Sequence, residues 1–148
     1  MRSPYATHQQ LLVRTALKTT GTILELGSGW YSTPVLHEIA TAMGRRLITV
    51  DNDPEWLATF EVMRSDLHEL ISVSSWDQFK PAEHYGMAFV DHAPGERRSI
   101  EMNRLRGRVD VFVIHDTEAA GYGFEKSLPT FQHIETDKSA TPWTSLYR

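Results

Sequence analysis

Five short apolar clusters, separated by segments with helical spacing, constrain the fold of this chain more than any other feature of its sequence. The clusters are rich in β-branched residues and are bounded by turn residues or charges, as buried strands are. They cover residues 23–26, 47–50, 70–73, 87–90 and 109–114. Their nearly continuous apolar character is expected where helices cover both faces of a parallel sheet. The alternation therefore predicts a doubly wound α/β fold, with a mostly parallel, Rossmann-like sheet of about seven strands and helices on both faces.

The segments between the clusters carry helix signals. Pro34 and Pro54 stand at early helical positions, after the candidate N-caps Ser32 or Thr33 and Asp53 respectively. The predicted helices cover residues 5–18, 33–43, 54–65, 96–106 and 124–128, with a weaker one at 76–79. Two late strands are predicted at residues 133–137 and 143–147. With 148 residues and neither a linker nor an internal repeat, the sequence indicates one domain over residues 1–148.

Composition excludes several classes of function. The chain has no cysteine, which rules out disulfides, thiolate zinc sites and a cysteine nucleophile, and is compatible with a reducing compartment. Its net charge of −4 provides no general basic field for nucleic acid. No apolar run is long enough to span a bilayer, and the amino terminus lacks a signal-peptide pattern. We therefore expect a cytoplasmic protein whose partner is a small molecule rather than nucleic acid or a membrane.

The sequence Gly27-Ser28-Gly29 directly follows the first predicted strand and precedes a helix. In open α/β sheets, ligands bind outside the carboxyl ends of the strands, and this stretch lies at that position. Glycines let the backbone turn sharply and approach a ligand, while the N-terminus of the following helix favours an anionic group. The alternative is that the glycines serve only the turn.

Asp51 closes the second predicted strand, about 20 residues after Gly29, which is the offset at which a carboxylate meets a ribose in nucleotide-binding sheets. A carboxylate accepts hydrogen bonds from both vicinal ribose hydroxyls. The alternative role, a cap for the next helix, suits Asp53 better. Trp30 and Tyr31 come just after the second glycine, and their side chains crowd the place of a dinucleotide pyrophosphate. The pattern thus indicates a nucleoside ligand rather than a dinucleotide.

The stretch Glu25-Leu26-Gly27-Ser28-Gly29, together with Val50-Asp51, resembles motifs I and II of the class I S-adenosylmethionine-dependent methyltransferases. The element order resembles that family along nearly the whole chain, although the first motif lacks the third glycine often present there. The resemblance implies that S-adenosylmethionine is the cofactor, that the two glycines line its methionine and ribose parts, that Glu25 orients the loop and that Asp51 holds the ribose. The implied cofactor-binding set is Glu25, Gly27, Ser28, Gly29, Tyr31, Ser32, Asp51, Asn52, Ser75 and Trp76.

Within that set, Ser75 and Trp76 follow the third predicted strand. The resemblance implies that residues at this place edge and cover the adenine ring. Trp76 is explained equally well as a core aromatic that seals a short helix. Both explanations stay open at this point.

The fourth and fifth predicted strands end in acids and imidazoles, namely Asp91 and His92 on the fourth and His115 and Asp116 on the fifth. Because adjacent strand ends lie side by side, we expect these four residues to form the catalytic face. The two segments also resemble metal-dependent O-methyltransferases, which implies that Asp91 and Asp116 hold magnesium against a substrate oxygen. Two alternatives stay open: His92 or His115 deprotonates the acceptor directly, or the acids only cap the segments that follow.

Arg97 and Arg98 stand at the start of the fourth predicted helix, where the helix dipole disfavours cations. They either bind an acidic group of the substrate or pair with nearby acids such as Glu96 and Glu101. The sequence alone does not decide between these two roles.

The resemblance implies transfer of a methyl group from S-adenosylmethionine to an oxygen or nitrogen of an unidentified acceptor. Three alternatives remain: another reaction of the same cofactor, such as aminopropyl transfer or cofactor cleavage; a non-catalytic cofactor-binding subunit; and an NAD-dependent dehydrogenase, which the crowded glycine turn disfavours. The chain has no obvious insertion to cover the acceptor. The segment 5–10 or a partner subunit, as in a homodimer, is expected to enclose it.

Overall fold

Seven strands form one sheet in the computed structural model, which describes residues 3–148. The strands are β1 Thr22–Leu26, β2 Leu47–Asp51, β3 His68–Ser72, β4 Tyr85–Val90, β5 Val109–His115, β6 His133–Asp137 and β7 Thr144–Tyr147. Their order is β3-β2-β1-β4-β5-β7-β6. Strands β1 to β5 run parallel, and β7 is antiparallel to both β5 and β6. The predicted doubly wound, mostly parallel sheet is confirmed.

Helices connect the parallel strands, as the sequence predicted. They are α1 Gln9–Lys18, α2 Thr33–Met43, α3 Pro54–Ala58, α4 Arg97–Arg104 and α5 Phe124–Ser127. Short 3-10 turns occur at Pro4–Ala6, Glu61–Met63, Trp76–Gln78 and Leu128–Thr130. Among the described residues, no helix has the length and apolar character needed to cross a membrane.

All four of the helices predicted at 5–18, 54–65, 96–106 and 124–128 are shorter than expected, the first two by the most. The helix predicted at 5–18 begins only at Gln9, because the Thr7 hydroxyl donates a hydrogen bond to the carbonyl of Pro142, 2.8 Å away, which ties the preceding segment to the end of the sheet. The helix predicted at 54–65 ends at Ala58. There the chain tightens into a hydrogen bond from the N–H of Thr59 to the Trp56 carbonyl, three residues back.

The sheet is covered on both faces because successive side chains of a strand point to opposite sides. On one face, α1 and α2 pack their apolar residues against Ile23, Met87 and Phe89. On the other face, the α4 side chains and the turn around Trp76 pack against Leu24 of the same strand β1. The strands are therefore apolar on both sides, and the carboxyl ends of β1, β2, β4 and β5 meet at one edge.

Candidate functional site

Gly27 is required by the fold itself. Its φ is +91°, and a Cβ built on it would lie 2.7 Å from the Cα of His92 and 2.8 Å from the carbonyl oxygen of Asp91. The end of β1 therefore passes against the end of β4 with no room for a side chain. This glycine is explained without any ligand.

Gly29 is different, because the fold leaves space around it. Its φ lies outside the left-handed region, and the nearest atom to a Cβ built there is the Ser32 Oγ at 3.5 Å, an ordinary van der Waals contact. Packing within the chain thus does not explain why this position lacks a side chain. Gly29 also lines a cavity, described below, and the missing side chain leaves its backbone open on that side.

Glu25 lies buried beneath the glycine loop and holds it through hydroxyl groups. Its carboxylate accepts hydrogen bonds from Ser32 Oγ at 2.6 Å, from Thr33 Oγ1 at 3.0 Å and from Thr49 Oγ1 at 2.7 Å. Burial raises the pKa of Glu25 to about 7 even though these hydroxyl donors favour the ionised form. Ser32 occupies the predicted N-cap position of α2, but its side chain makes no capping hydrogen bond because its hydroxyl bonds Glu25. These contacts agree with the expected role of Glu25 in orienting the loop.

Asp51, at the end of β2, is bonded to the same loop. Its Oδ2 accepts hydrogen bonds from the Ser28 N–H at 2.8 Å and the Ser28 hydroxyl at 2.6 Å, and its Oδ1 accepts the Asp53 N–H at 2.9 Å. Of these three donors, the Ser28 hydroxyl is the one that bond rotation can move away to make room for another hydroxyl. Asp53 caps α3 through the N–H of Trp56, as predicted, so Asp51 is not needed for that purpose.

A cavity of about 560 Å³ opens beside this loop at the carboxyl edge of the sheet. Its lining combines the loop with the ends of β4 and β5 and with the amino-terminal segment. Seven of the predicted site residues line it: Ser28, Gly29, Tyr31, Ser32, Asp91, His115 and Asp116. Seven others do not: Glu25, Gly27, Asp51, Asn52, Ser75, Trp76 and His92. The volume is in the usual range for small-molecule sites.

Aromatic side chains surround the cavity with exposed rings. Tyr5, Trp30, Tyr31 and Trp56 all line it, and each is at least 39% exposed. The Trp56 indole is fixed by a 2.9 Å hydrogen bond to the Ser28 carbonyl. A wider, more open groove of about 850 Å³ lies elsewhere, along the segment that follows β5, and contains none of the predicted site residues. The smaller cavity is therefore the candidate site.

Trp76 and His92 pack together inside the protein. Trp76 is 3% exposed, its indole donates a 2.8 Å hydrogen bond to the Ala93 carbonyl, and its ring lies 4.1 Å from that of His92. The alternative of a core aromatic therefore describes the Trp76 side chain, and Ser75 serves as the N-cap of the turn. Burial lowers the pKa of His92 to about 3, and this residue does not line the cavity. His92 was predicted to belong to the catalytic face, but the end of β4 turns its side chain into the core, so that role stays a prediction.

Arg98 occupies the space between the two acids predicted to bind magnesium. Its Nη1 lies 2.6 Å from Asp116 Oδ2, and its Nη2 lies 3.1 Å from Asp91 Oδ1. The same guanidinium donates to the backbone carbonyls of His92 and His115, at 2.8 and 3.1 Å. Arg98 is buried, so it ties the ends of β4 and β5 together and places a fixed positive charge between the carboxylates.

This arrangement does not fit the magnesium site implied by the resemblance. Magnesium needs several oxygen ligands in nearly octahedral geometry, whereas here both acids are bonded to a guanidinium. The donor atoms of His8, Asp91 and His115 lie within 4.8 Å of one another, but Asp91 is already shared between Arg98 and His115. The structure thus gives no support to a magnesium site. Arg97 pairs with Asp77 and Glu101, the second of which the sequence had suggested.

Both ring nitrogens of His115 have hydrogen-bond partners. Its Nδ1 lies 3.1 Å from Asp91 Oδ1, which only accepts, so Nδ1 carries a proton. Its Nε2 lies 2.9 Å from Thr7 Oγ1. Burial opposes the charge, but the hydrogen bond and charge of Asp91, aided by Asp116, outweigh it and raise the pKa of His115.

His8 and Arg98 are members of the site that sequence reasoning did not include. His8 belongs to the segment before α1, is 2% exposed and contacts the ring of His115 edge-on with centroids 4.8 Å apart. From the sequence, Arg98 was expected either to bind an acidic group of the substrate or to pair with nearby acids. For His8 the one available signal was the expectation that residues 5–10 enclose the acceptor, and Tyr5 and His8 do line the cavity.

Several methyltransferases are among the solved structures similar to this chain. The methyltransferase PaMTH1 of Podospora anserina, bound to SAH, has a TM-score of 0.74 at 16% identity, over 100% of this chain and 79% of that one. The O-methyltransferase TomG of Streptomyces achromogenes, in complex with SAM, has a TM-score of 0.69 at 16% identity, over 99% and 80%. The 1,6-didemethyltoxoflavin-N1-methyltransferase of Burkholderia thailandensis has a TM-score of 0.67 at 12% identity, over 97% and 78%.

No family model and no curated protein matches the chain. At these identities the similar structures establish the architecture rather than the reaction. The strand order, the antiparallel β7 and the loop after β1 agree with that likeness over the described residues. This chain therefore has the fold of the class I S-adenosylmethionine-dependent methyltransferases.

Proposed function

We propose that this protein is an S-adenosylmethionine-dependent methyltransferase that acts on an oxygen or nitrogen of a small-molecule acceptor. The observation that carries the proposal is Gly29, a glycine for which packing gives no reason, at a cavity beside the end of the first central strand. Similar structures crystallised with SAM or SAH support the choice of cofactor. The acceptor atom stays open because similar structures include O- and N-methyltransferases.

The loop and the end of β2 are the proposed cofactor-binding residues. In this proposal Ser28 and Gly29 contact the nucleoside through their backbone, and Asp51 accepts the ribose hydroxyls after the Ser28 hydroxyl rotates away. Glu25 and Gly27 act from beneath, by holding the loop in shape. Asn52, Ser75 and Trp76 do not line the cavity, so any contact that they make with the cofactor lies outside the lining described above.

The cofactor supplies a methyl group already activated on a sulfonium, so the protein mainly aligns the acceptor and removes its proton. The ends of β4 and β5 are rigid, because Arg98 bonds both, and Asp91 and Asp116 lie at the cavity with His115. We assign these residues to positioning and electrostatics rather than to a metal. A cavity of about 560 Å³, lined in part by Tyr5 and His8, favours a small acceptor over a macromolecule.

A binding and product assay tests the proposal. Isothermal titration with S-adenosylmethionine, S-adenosylhomocysteine and NAD, each with magnesium or with chelator, should show binding of the first two only, unaffected by chelator. Incubation of S-adenosylmethionine with a panel of small phenols, carboxylates and amines, followed by mass analysis, should show a gain of one methyl group. Binding of NAD alone would point to the dehydrogenase, and a transferred aminopropyl group or a cleaved cofactor to another use of the sulfonium.

The non-catalytic alternative predicts binding without any product on every acceptor tested. The cytoplasmic location and the homodimer stay predictions from the sequence. Sedimentation analysis of the purified chain, with and without cofactor, measures the oligomeric state directly.

A further inference from the structure

Removal of the acceptor's proton needs a group with a free lone pair, and hydrogen-bond geometry identifies a buried one on a residue that lines the cavity. We propose that Nδ1 of His8 accepts the proton of the acceptor, which is a molecule with a neutral O–H or N–H group. The inference rests on the proposed function. It assigns to the amino-terminal segment a catalytic residue that none of the strand-end motifs contains.

The tautomer of His8 follows from its single hydrogen bond. Its Nε2 lies 3.2 Å from the carbonyl oxygen of Tyr31, which only accepts, so the ring proton is on Nε2. Nδ1 then carries the lone pair, and among the described residues it has no hydrogen-bond partner. Burial lowers the pKa of His8 to about 4, so the ring is neutral near pH 7. An unpaired buried acceptor costs free energy. A donor group of a ligand that enters from the cavity can offset that cost by forming a hydrogen bond with it.

The other titratable groups at the cavity are already engaged in hydrogen bonds or ion pairs. Both ring nitrogens of His115 have partners, Asp91 and Thr7. The carboxylates of Asp91 and Asp116 are paired with Arg98, and His115 holds the pKa of Asp91 below its usual value against the opposing effect of burial. His8 is therefore the one histidine of this lining that offers a lone pair.

The transfer balances in atoms and charge. The acceptor oxygen or nitrogen forms a bond to the methyl carbon, the carbon–sulfur bond breaks with its electron pair going to sulfur, and the acceptor's proton moves to Nδ1. The positive charge of the sulfonium thus ends on the His8 imidazolium, which Asp91 favours and His115 opposes electrostatically. A weakly basic imidazole suffices, because an oxygen that has gained a methyl group while still protonated is a strong acid. The proton leaves to water when the product departs.

Gln9 provides a matched control. Its side-chain Nε2 donates to the same Tyr31 carbonyl at 3.1 Å, yet it does not line the cavity. His8→Gln removes the proposed base. Gln9→Ala removes the hydrogen bond from Gln9 to the Tyr31 carbonyl and leaves the proposed base in place. If His8 merely holds the Tyr31 carbonyl in place, the two variants should behave alike.

Nitrogen NMR of the imidazole side chains in the full chain tests the assignment without turnover. At pH 7, His8 should show a protonated Nε2 and an unprotonated Nδ1, while His115 should carry a proton on Nδ1. Addition of phenol in the presence of S-adenosylhomocysteine should shift the Nδ1 signal toward the value of a hydrogen-bonded nitrogen, and anisole, which lacks the proton, should not. A His8 protonated on Nδ1, or an Nδ1 signal that phenol leaves unchanged, overturns the proposal.

Kinetics with phenol and catechol as acceptors complete the test. His8→Gln should lower methyl transfer by about 10²- to 10⁴-fold, the usual contribution of a general base, with S-adenosylmethionine affinity unchanged, whereas Gln9→Ala should leave both unchanged. Added imidazole should restore transfer in His8→Gly. Transfer by His8→Gln at the wild-type rate refutes the role of His8. Failure of the wild-type protein to bind S-adenosylmethionine refutes the proposed function instead.

Discussion

Alanine at each of the two loop glycines separates what the fold requires from what a ligand requires. In Gly27→Ala, the new Cβ must accept a φ of +91° and lie 2.7 Å from the backbone of His92. The strained backbone alone costs about 1–3 kcal/mol, and side-chain rotation cannot relieve a contact with backbone, so we expect a total loss of at least about 3 kcal/mol. For a domain of this size that corresponds to a melting temperature lower by roughly 6–12 °C or more.

In Gly29→Ala, the new Cβ meets only the Ser32 Oγ at 3.5 Å, so unfolding free energy should stay within about 1 kcal/mol of the wild-type value. The methyl group does, however, stand where the nucleoside is proposed to approach. Crowding costs about 1–3 kcal/mol, which predicts S-adenosylmethionine binding weaker by roughly 5- to 150-fold. Thermal unfolding by circular dichroism and isothermal titration measure the two quantities on the same samples.

Alanine at Gly44 serves as the control, because it measures the cost of a left-handed backbone in the absence of a steric contact. It has a φ of +62°, and a Cβ built there meets nothing within 4 Å. Gly44→Ala should therefore show only the smaller backbone cost and no change in cofactor affinity. The reasoning fails if Gly29→Ala binds S-adenosylmethionine as tightly as the wild type, or if Gly27→Ala is no less stable than Gly44→Ala.

Three further predictions concern charged residues beneath and beside the cavity. Asp51→Asn should weaken S-adenosylmethionine binding by about 10- to 150-fold in a titration, since a hydrogen bond to a charged group contributes about 1.5–3 kcal/mol, and unchanged affinity would exclude it from ribose binding. Arg98→Met leaves two carboxylates without their cation and should lower the unfolding free energy measured in urea by about 3–5 kcal/mol. Because Arg98 stands where a metal was expected, chelator should leave cofactor binding by the wild-type protein unaffected. Because the pKa of Glu25 is about 7 in the folded chain against its ordinary value of 4.5, the folded state keeps a proton that the unfolded state has lost. The contribution of Glu25 to stability is therefore complete below pH 4.5 and is lost as pH rises through 7, by about 3 kcal/mol. The unfolding free energy of Glu25→Gln relative to wild type should rise by that amount across the same range in urea titrations, and a pH-independent difference would contradict the assignment.

Local patterns in the sequence were sufficient for the element order and the sheet. Apolar clusters and helix spacing depend on neighbours within a few residues, so the strands of residues 23–26 and 47–50 could be placed before any tertiary contact was known. The same dependence on near neighbours explains why the end of α3 was predicted wrongly. Nothing near residues 59–65 indicates that α3 stops at Ala58, because the cause is the tight turn in which the buried Phe60 meets the core.

Motif spacing also indicated the loop and Asp51, whose mutual hydrogen bonds the structure contains. It could not separate Gly27 from Gly29, since both are glycines in the same turn and differ only in what lies opposite each. The two explanations of Trp76 had equal support for the same reason. Only its packing against His92 decided in favour of the core.

The sequence by itself determined that this chain forms a doubly wound sheet with a glycine loop and an acid at neighbouring strand ends, because those features depend on periodicity and short spacing. Only the tertiary structure decided which groups meet at the cavity. Thr7 reaches His115 across 108 positions of the chain, and Arg98 takes the place proposed for a metal between Asp91 and Asp116. Such contacts depend on how the helices dock on the sheet, and docking is set by the whole apolar surface rather than by any local stretch.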